Sequence, residues 1–62
     1  MLDNYSEILN VKDVCEILHI ERKLVYKLIQ KGDIPALKVG SVYRIPKCYL
    51  VNYIDNKITP IQ

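Results

Sequence analysis

Two short amphipathic segments separated by only three residues constrain the fold of this chain more than any other feature of its sequence. Between residues 11 and 18, the apolar residues fall on one face of a helix, namely Val11, Val14, Cys15, Ile17 and Leu18. Between residues 22 and 31, a second apolar face is formed by Leu24, Val25, Leu28 and Ile29. The spacing therefore predicts two short helices joined by a tight turn.

The ends of both helices carry local signals. Asn10 is a good N-cap residue, and Asp13 stands three positions later as the partner in a capping box, so the first helix should begin at Asn10 and end near Leu18. Glu21 is a poor N-cap that offers the second helix mainly a charge favourable to its dipole. Gly32 can adopt a positive φ and end that helix.

Between Pro35 and Pro46 the apolar period changes to two, which predicts a β-hairpin. The register depends on the length of the turn, because a shift of one residue inverts every side chain. A turn with an even number of residues would pair Val39 with Val42 and mix apolar and basic side chains on both faces. We therefore predict a three-residue turn, Gly40-Ser41-Val42. That turn directs Lys38 and Arg44 outward and places these residues on the core face: Leu37, Val39, Tyr43 and Ile45.

A third helix is predicted after the hairpin, with Pro46 in its first turn and an apolar stripe of Leu50, Val51, Tyr53 and Ile54. Residues 1–8 are expected to form an N-terminal arm, residues 9–56 one domain, and residues 57–62 a loose C-terminal tail. Ile58 and Ile61 in that tail are apolar enough to adhere to a partner. The predicted fold class is mainly α with a small β-hairpin.

Composition excludes most kinds of catalytic site. A chain of 62 residues buries only about 60% of its unfolded surface, which leaves little room for a large cleft. Cys15, Cys48 and His19 are too few for a zinc site, and the two cysteines are expected to be small buried thiols. The two isolated glycines form no phosphate loop. We expect no enzymatic activity, metal, cofactor or small-molecule ligand, and, without a membrane span or signal segment, a cytoplasmic protein.

Charge is strongly segregated along the chain, although its net value is only +2. Residues 1–21 contain one basic and five acidic residues, for a net charge of −4, whereas residues 22–47 contain seven basic and one acidic, for a net charge of +6. The basic segment coincides with the second helix and the hairpin. Such segregation favours a polyanionic partner for the middle of the chain.

Four stretches together resemble the excisionase-type, MerR-like helix-turn-helix family: residues 9–14, 25–36, 38–40 and 43–46. The likeness covers about residues 8–56. It implies a winged helix-turn-helix (helix, helix, two-stranded wing, helix) that binds double-stranded DNA. The sequence departs from the family where His19 replaces a glycine, Glu21 replaces serine or threonine, and Val42 replaces a residue that is often basic. His19 must adopt a left-handed backbone or a modified turn.

The resemblance implies that the second helix enters the DNA major groove, and the residue types agree, since basic, amide and tyrosine side chains can bind bases and phosphates. The predicted recognition-helix contacts are Arg22, Lys23, Tyr26, Lys27 and Gln30. The predicted phosphate contacts on the wing and its flanks are Lys31, Lys38, Ser41, Arg44 and Lys47. A single small module binds weakly, so we expect self-association on repeated sites or a protein partner, such as an integrase.

Three functions fit these observations. The leading hypothesis is an excisionase-like architectural factor that promotes excisive site-specific recombination of a mobile element. The second is a small transcriptional regulator that uses the same surface. The third is a protein-interaction module without DNA contact, whose acidic first-helix face and apolar ends bind a partner. The basic residues also have a bland interpretation, in which the lysine-rich helix face is merely solvated and the basic wing residues only protect an edge strand from aggregation.

Overall fold

The computed structural model describes residues 2–57, and it forms three helices around a small antiparallel sheet. The elements, in chain order, are β1 (Ile8–Leu9), α1 (Val11–Leu18), α2 (Arg22–Gln30), β2 (Leu37–Val39), β3 (Val42–Pro46) and α3 (Lys47–Lys57). The sheet has the order β1-β3-β2. The predicted winged helix-turn-helix with its two-stranded wing is confirmed. The strand β1, which the sequence pattern does not predict, pairs with β3 and makes the sheet three-stranded.

The start of α1 is fixed by the predicted capping box. The Asp13 backbone N–H donates to Oδ1 of Asn10 at 2.7 Å, and the Asn10 N–H donates to Oδ2 of Asp13 at 3.0 Å. Two otherwise unpaired amides are satisfied in this way. The helix then ends at Leu18, as expected.

The turn between α1 and α2 depends on His19, which has a left-handed backbone with φ 56° and ψ 45°. Its conformation directs the next amide back to α1, so that the Ile20 N–H donates to the Cys15 carbonyl at 3.2 Å. The weak start predicted for α2 is confirmed, because the Glu21 side chain makes no capping hydrogen bond. The helix-turn-helix therefore forms with a strained residue in its turn and an uncapped second helix.

A glycine closes α2. Gly32 has a φ of +86°, and the chain reverses so that the Asp33 N–H donates to the Leu28 carbonyl at 3.0 Å. This reversal delivers Ile34 into the core, where it is completely buried. Ile34 lies in a loop without apolar periodicity, and the sequence pattern did not identify it as a core residue.

The hairpin register differs from the predicted one. Val39 pairs with Val42 and Lys38 with Tyr43, so the turn contains two residues, Gly40 and Ser41, rather than three. Gly40 has a φ of +64°, as the first central residue of a type II′ turn requires. This turn type suits the twist of the strands.

The two-residue turn changes which side chains share a face. Lys38, Tyr43 and Ile45 lie on the face toward the helices, whereas Arg44 lies on the outer face with three apolar side chains: Leu37, Val39 and Val42. Leu37 and Val39 are 57% and 61% exposed, so their predicted place in the core is wrong. The prediction that Lys38 and Arg44 share an outward face is also wrong.

The N-terminal arm is tied to the start of α3. Ile8 pairs with Pro46 and Leu9 with Ile45, which makes β3 the central strand of the sheet. Pro46 is therefore the last residue of β3, one position before the helix in which it was predicted. The side chain of Lys47 donates to the carbonyls of Leu2 at 3.3 Å and Tyr5 at 3.1 Å.

The core is small and draws on every helix and on the sheet. Its fully or nearly fully buried side chains are Leu9, Val11, Val14, Val25, Ile34, Ile45 and Leu50. Cys15 is half-buried but Cys48 is exposed, so the prediction of a buried thiol is wrong for Cys48. No helix within residues 2–57 is long and apolar enough to cross a membrane. The predicted loose tail, apart from Lys57, lies outside the described residues.

Candidate nucleic-acid interface

The outward face of α2 presents the five side chains predicted to meet DNA. Val25 anchors the helix in the core, with no exposed surface, and Leu28 and Ile29 are half-buried beside it. The opposite face consists entirely of exposed residues: Arg22, Lys23, Tyr26, Lys27 and Gln30. The structure thus displays a basic helix face free of apolar core positions.

Two tyrosines connect this helix to the wing. The rings of Tyr26 and Tyr43 lie 5.9 Å apart at an interplanar angle of 52°, a favourable tilted arrangement. The ammonium of Lys38 lies 5.6 Å from the centre of the Tyr43 ring, which places it within range of a cation–π interaction. The two-residue turn creates this contact, because it brings Lys38 to the helix-facing side of the wing. The contact with the Tyr43 ring keeps the Lys38 ammonium on the side of the wing that faces the helices.

A groove of about 420 Å³ is lined by the first turn of α1, by the N-terminal half of α2 and by both faces of the wing. Tyr26 and Tyr43 form part of its wall, and Ser41 lies at the hairpin turn. Three cationic side chains line it, each from a different element: Lys12, Arg22 and Arg44. Since all three are exposed, their charges remain available to an anion in the groove.

Lys12 is a groove residue that the sequence reasoning missed. It is the only basic residue in the acidic segment 1–21, and the helical period places it on the polar face of the first helix. A signal was nevertheless present, because a cation in the first turn of a helix is unfavourable for the helix dipole. A lysine at that position therefore needs a reason other than helix stability.

Two of the predicted phosphate contacts, Lys31 and Lys47, do not line the groove and are held in other contacts. Lys31 is on the surface at the end of α2, where its ammonium is 3.5 Å from the Asp33 carboxylate. The side chain of Lys47 is only 15% exposed, holds two carbonyls of the N-terminal arm, and lies 3.5 Å from the Glu7 carboxylate. The structure therefore uses Lys47 to fasten the arm.

The acidic residues of α1 are occupied in local contacts. Asp13 serves in the capping box, and Oε1 of Glu16 accepts a 3.4 Å hydrogen bond from the Tyr5 hydroxyl. Partial burial raises the pKa of Tyr5 above its usual value, and the negative charge of Glu16 raises it further. These carboxylates are separate from the residues that line the basic groove.

Residues 2–57 contain no group of three or more histidine, cysteine, aspartate or glutamate side chains that could hold a metal ion. The groove residues are instead basic, amide, hydroxyl, aromatic and apolar. Their chemistry suits phosphate oxygens and the edges of bases.

Comparison with known proteins agrees with this geometry. The family described as "Helix-turn-helix domain" matches residues 8–57. Two proteins of Mycobacterium tuberculosis are 30% identical to the chain over 40 residues, which is 64% of this chain and 51% of each relative. They are "Putative DNA-binding protein MT0521" of strain CDC 1551 / Oshkosh and "Putative DNA-binding protein Rv0500A" of strain ATCC 25618 / H37Rv. The chain spans about half the length of these relatives. No solved structure matches it significantly.

Proposed function

This chain belongs to the helix-turn-helix domain family, and on that premise we propose that it binds double-stranded DNA. The observation that carries the proposal is the convergence of cations from α1, α2 and the wing on one groove beside the exposed face of α2. A helix of this diameter fits the major groove, while the flanking cations meet the phosphates. The names of the two mycobacterial relatives support the same function.

The side chains divide into two roles. Residues near the start of a recognition helix reach the base edges, so Arg22, Lys23, Tyr26 and Lys27 are the first candidates, with Gln30 one turn further along. Arginine and lysine can donate to guanine, and glutamine can pair with adenine. The phosphate contacts that we assign to the groove and wing are Lys12, Lys38, Ser41 and Arg44. We assign the chain a binding role and no catalytic one.

The salt dependence of binding tests this arrangement. If about five cations meet phosphates, the logarithm of the affinity falls with the logarithm of salt concentration at a slope of about −4 to −5. Raising salt from 50 to 200 mM should then weaken binding several hundred-fold, as measured by gel-shift titration. A chain that acts only as a protein-interaction module would bind at neither concentration.

A double variant locates the binding face. Lys23→Ala with Lys27→Ala should flatten the slope by about two units, because two counterion-releasing contacts are lost. Asn56→Asp with Lys57→Ala is the matched control, since it makes the same change in net charge at the far end of α3. If the folded double variant bound DNA as well as the parent protein, α2 would not be the recognition helix.

Within this function we propose an excisionase-like architectural role, in which several copies bind adjacent sites and bias an integrase toward excision. The support is the resemblance of the sequence to excisionase-type domains together with the small contact area of one module, about 600–1,000 Å², which is less than that of tightly binding dimers. Head-to-tail contacts on repeated sites would supply the missing affinity.

Footprinting at an attachment site and an excision assay with the integrase test the role. Protection that extends over adjacent sites, with excision dependent on the protein, is the expected result. Protection at a promoter, with excision unchanged in the absence of the protein, would identify a transcriptional regulator and contradict the architectural role.

A further inference from the structure

The outer face of the wing exposes an unusual amount of apolar surface. Val39 pairs with Val42, and Leu37 pairs with Arg44, so the four side chains share this face. Leu37 and Val39, both in β2, are 57% and 61% exposed, the largest values among the exposed large hydrophobic side chains of residues 2–57. The solvated face of an antiparallel sheet normally carries polar side chains. The apolar side chains of β2 therefore need another explanation.

The strand β2 also lies at an edge of the sheet, and all three of its residues are exposed. The two-residue turn makes Val39 and Val42 a hydrogen-bonded pair. Such pairs alternate with non-hydrogen-bonded pairs along an antiparallel ladder, so Lys38 and Tyr43 form one of the latter. The backbone N–H and carbonyl of Lys38 therefore point away from β3, toward the edge. An edge of this kind is a template for one more strand.

The side chains at this edge define the strand that would fit. A residue directly opposite Lys38 lies beside its ammonium, where a carboxylate is favoured. The neighbours of that residue lie beside Leu37 and Val39 on the outer face, where apolar side chains are favoured. Arg44 adds a second exposed cation, on the outer face. The matching pattern is therefore apolar, acidic, apolar.

We propose that β2 binds an extended segment of a protein partner, with alternating apolar and acidic residues, as a fourth strand of the sheet. Main-chain hydrogen bonds to Lys38 give affinity, and the cross-strand side-chain pairs give selectivity. A second copy of β2 does not fit, because antiparallel pairing centred on Lys38 would place two lysines directly opposite each other. The edge has only three residues, so a single peptide should bind weakly.

A blocked synthetic peptide, Thr-Val-Glu-Val-Thr, titrated into the isotope-labelled full chain and followed by NMR, tests the added strand. The shift changes should be centred on β2, and hydrogen exchange of the Lys38 amide should slow on binding. The same peptide with an N-methylated glutamate should bind about tenfold more weakly, because it lacks the N–H that donates to the Lys38 carbonyl. The scrambled peptide Val-Val-Glu-Thr-Thr, which keeps the charge but not the alternation, should also bind more weakly.

Exchanging the charges tests the pairing at Lys38. Lys38→Glu should prefer the peptide Thr-Val-Lys-Val-Thr to the glutamate peptide, with a change in selectivity of about fivefold. Lys57→Glu is the matched control, because it makes the same change in net charge at the far end of α3 and should leave the selectivity unchanged.

Three results would overturn the proposal. Equal binding of the ordinary and N-methylated peptides, or shift changes centred away from β2, would show that no strand is added. The absence of shift changes at millimolar peptide would leave Lys38 as a guard against aggregation only. Dimerisation of the free protein that protects the Lys38 amide would show that the edge holds a second copy. None of these measurements uses DNA, so a negative result here is distinguishable from a failure of DNA binding.

Discussion

Replacing Lys47 with methionine separates two roles for that lysine, because the sequence predicts a phosphate contact and the structure shows an anchor for the N-terminal arm. Methionine keeps most of the apolar stem and removes only the ammonium. The variant loses the hydrogen bonds to the Leu2 and Tyr5 carbonyls, at 3.3 and 3.1 Å. It also loses the 3.5 Å ion pair with Glu7.

The expected cost follows from the burial of each contact. Hydrogen bonds from a charged donor contribute about 1.5–3 kcal/mol each, but part of that gain is offset because the native ammonium, on a side chain only 15% exposed, is itself desolvated. Glu7 is 88% exposed, so its ion pair adds little. We expect the free energy of unfolding to fall by about 2 kcal/mol, which in a domain this small lowers the melting temperature by about 8–16 °C.

Two measurements separate the roles. The first is thermal unfolding monitored by circular dichroism, and the second is the salt slope of DNA binding, measured below the melting temperature. Lys47→Met should lower the melting temperature and leave the slope unchanged. Lys57→Met is the control, because Lys57 is an exposed lysine on the same helix whose ammonium lies over the Tyr53 ring. A slope flatter by about one unit, with an unchanged melting temperature, would show that Lys47 binds phosphate and that the anchor is unimportant.

Three further substitutions probe the helix-turn-helix. Asn10→Ala should cost about 1 kcal/mol by breaking the capping box, seen as a lower urea midpoint, whereas an unchanged midpoint would show that the cap contributes nothing. His19→Gly should raise the melting temperature by several degrees, since glycine adopts a positive φ without strain; a decrease would contradict the strain assigned to the turn. Glu21→Ser should stabilise α2 by about 0.5–1 kcal/mol through a new cap and tighten DNA binding by removing a carboxylate, so unchanged binding in gel shifts would place Glu21 away from DNA.

The helices could be predicted from sequence because their signals are local. The capping pair Asn10 and Asp13, the left-handed His19 and the terminating Gly32 each act within one helical turn. Val14 and Val25 were assigned to the core by periodicity alone, and both are fully buried. The exposed face of α2 follows from the same period, since the residues that do not enter the core must face outward.

The sheet was predicted less well because its determinants are not local. Alternation shows which side chains of a strand share a face but not which face is buried, and the two-residue turn places Leu37 and Val39 on the outer face, where they stay exposed. The register of the wing is instead set by Gly40, whose positive φ suits a two-residue turn. The strand β1 has two residues and no period of its own, so only its pairing with β3 defines it.

The candidate site, too, could be predicted only where its determinants are local in sequence. Arg22 and Tyr26 could be predicted as outward residues of one helix, whereas the groove that joins them to Lys12 and Arg44 is formed by three elements brought together in space. Lys47 was assigned by charge alone. Its partners are carbonyls 42 and 45 residues away in the chain, which no local pattern reveals.

The central position of β3 in the sheet has a consequence for the order of folding. The contacts between α1 and α2 join neighbouring segments and need little loop closure, but β3 must pair with β1, whose partner residues are 36 and 38 positions away. The two helices should therefore form first, and the wing should acquire its final protection against hydrogen exchange only when the N-terminal strand arrives. We expect the amides of β1 and β3 to open together, as one cooperative unit.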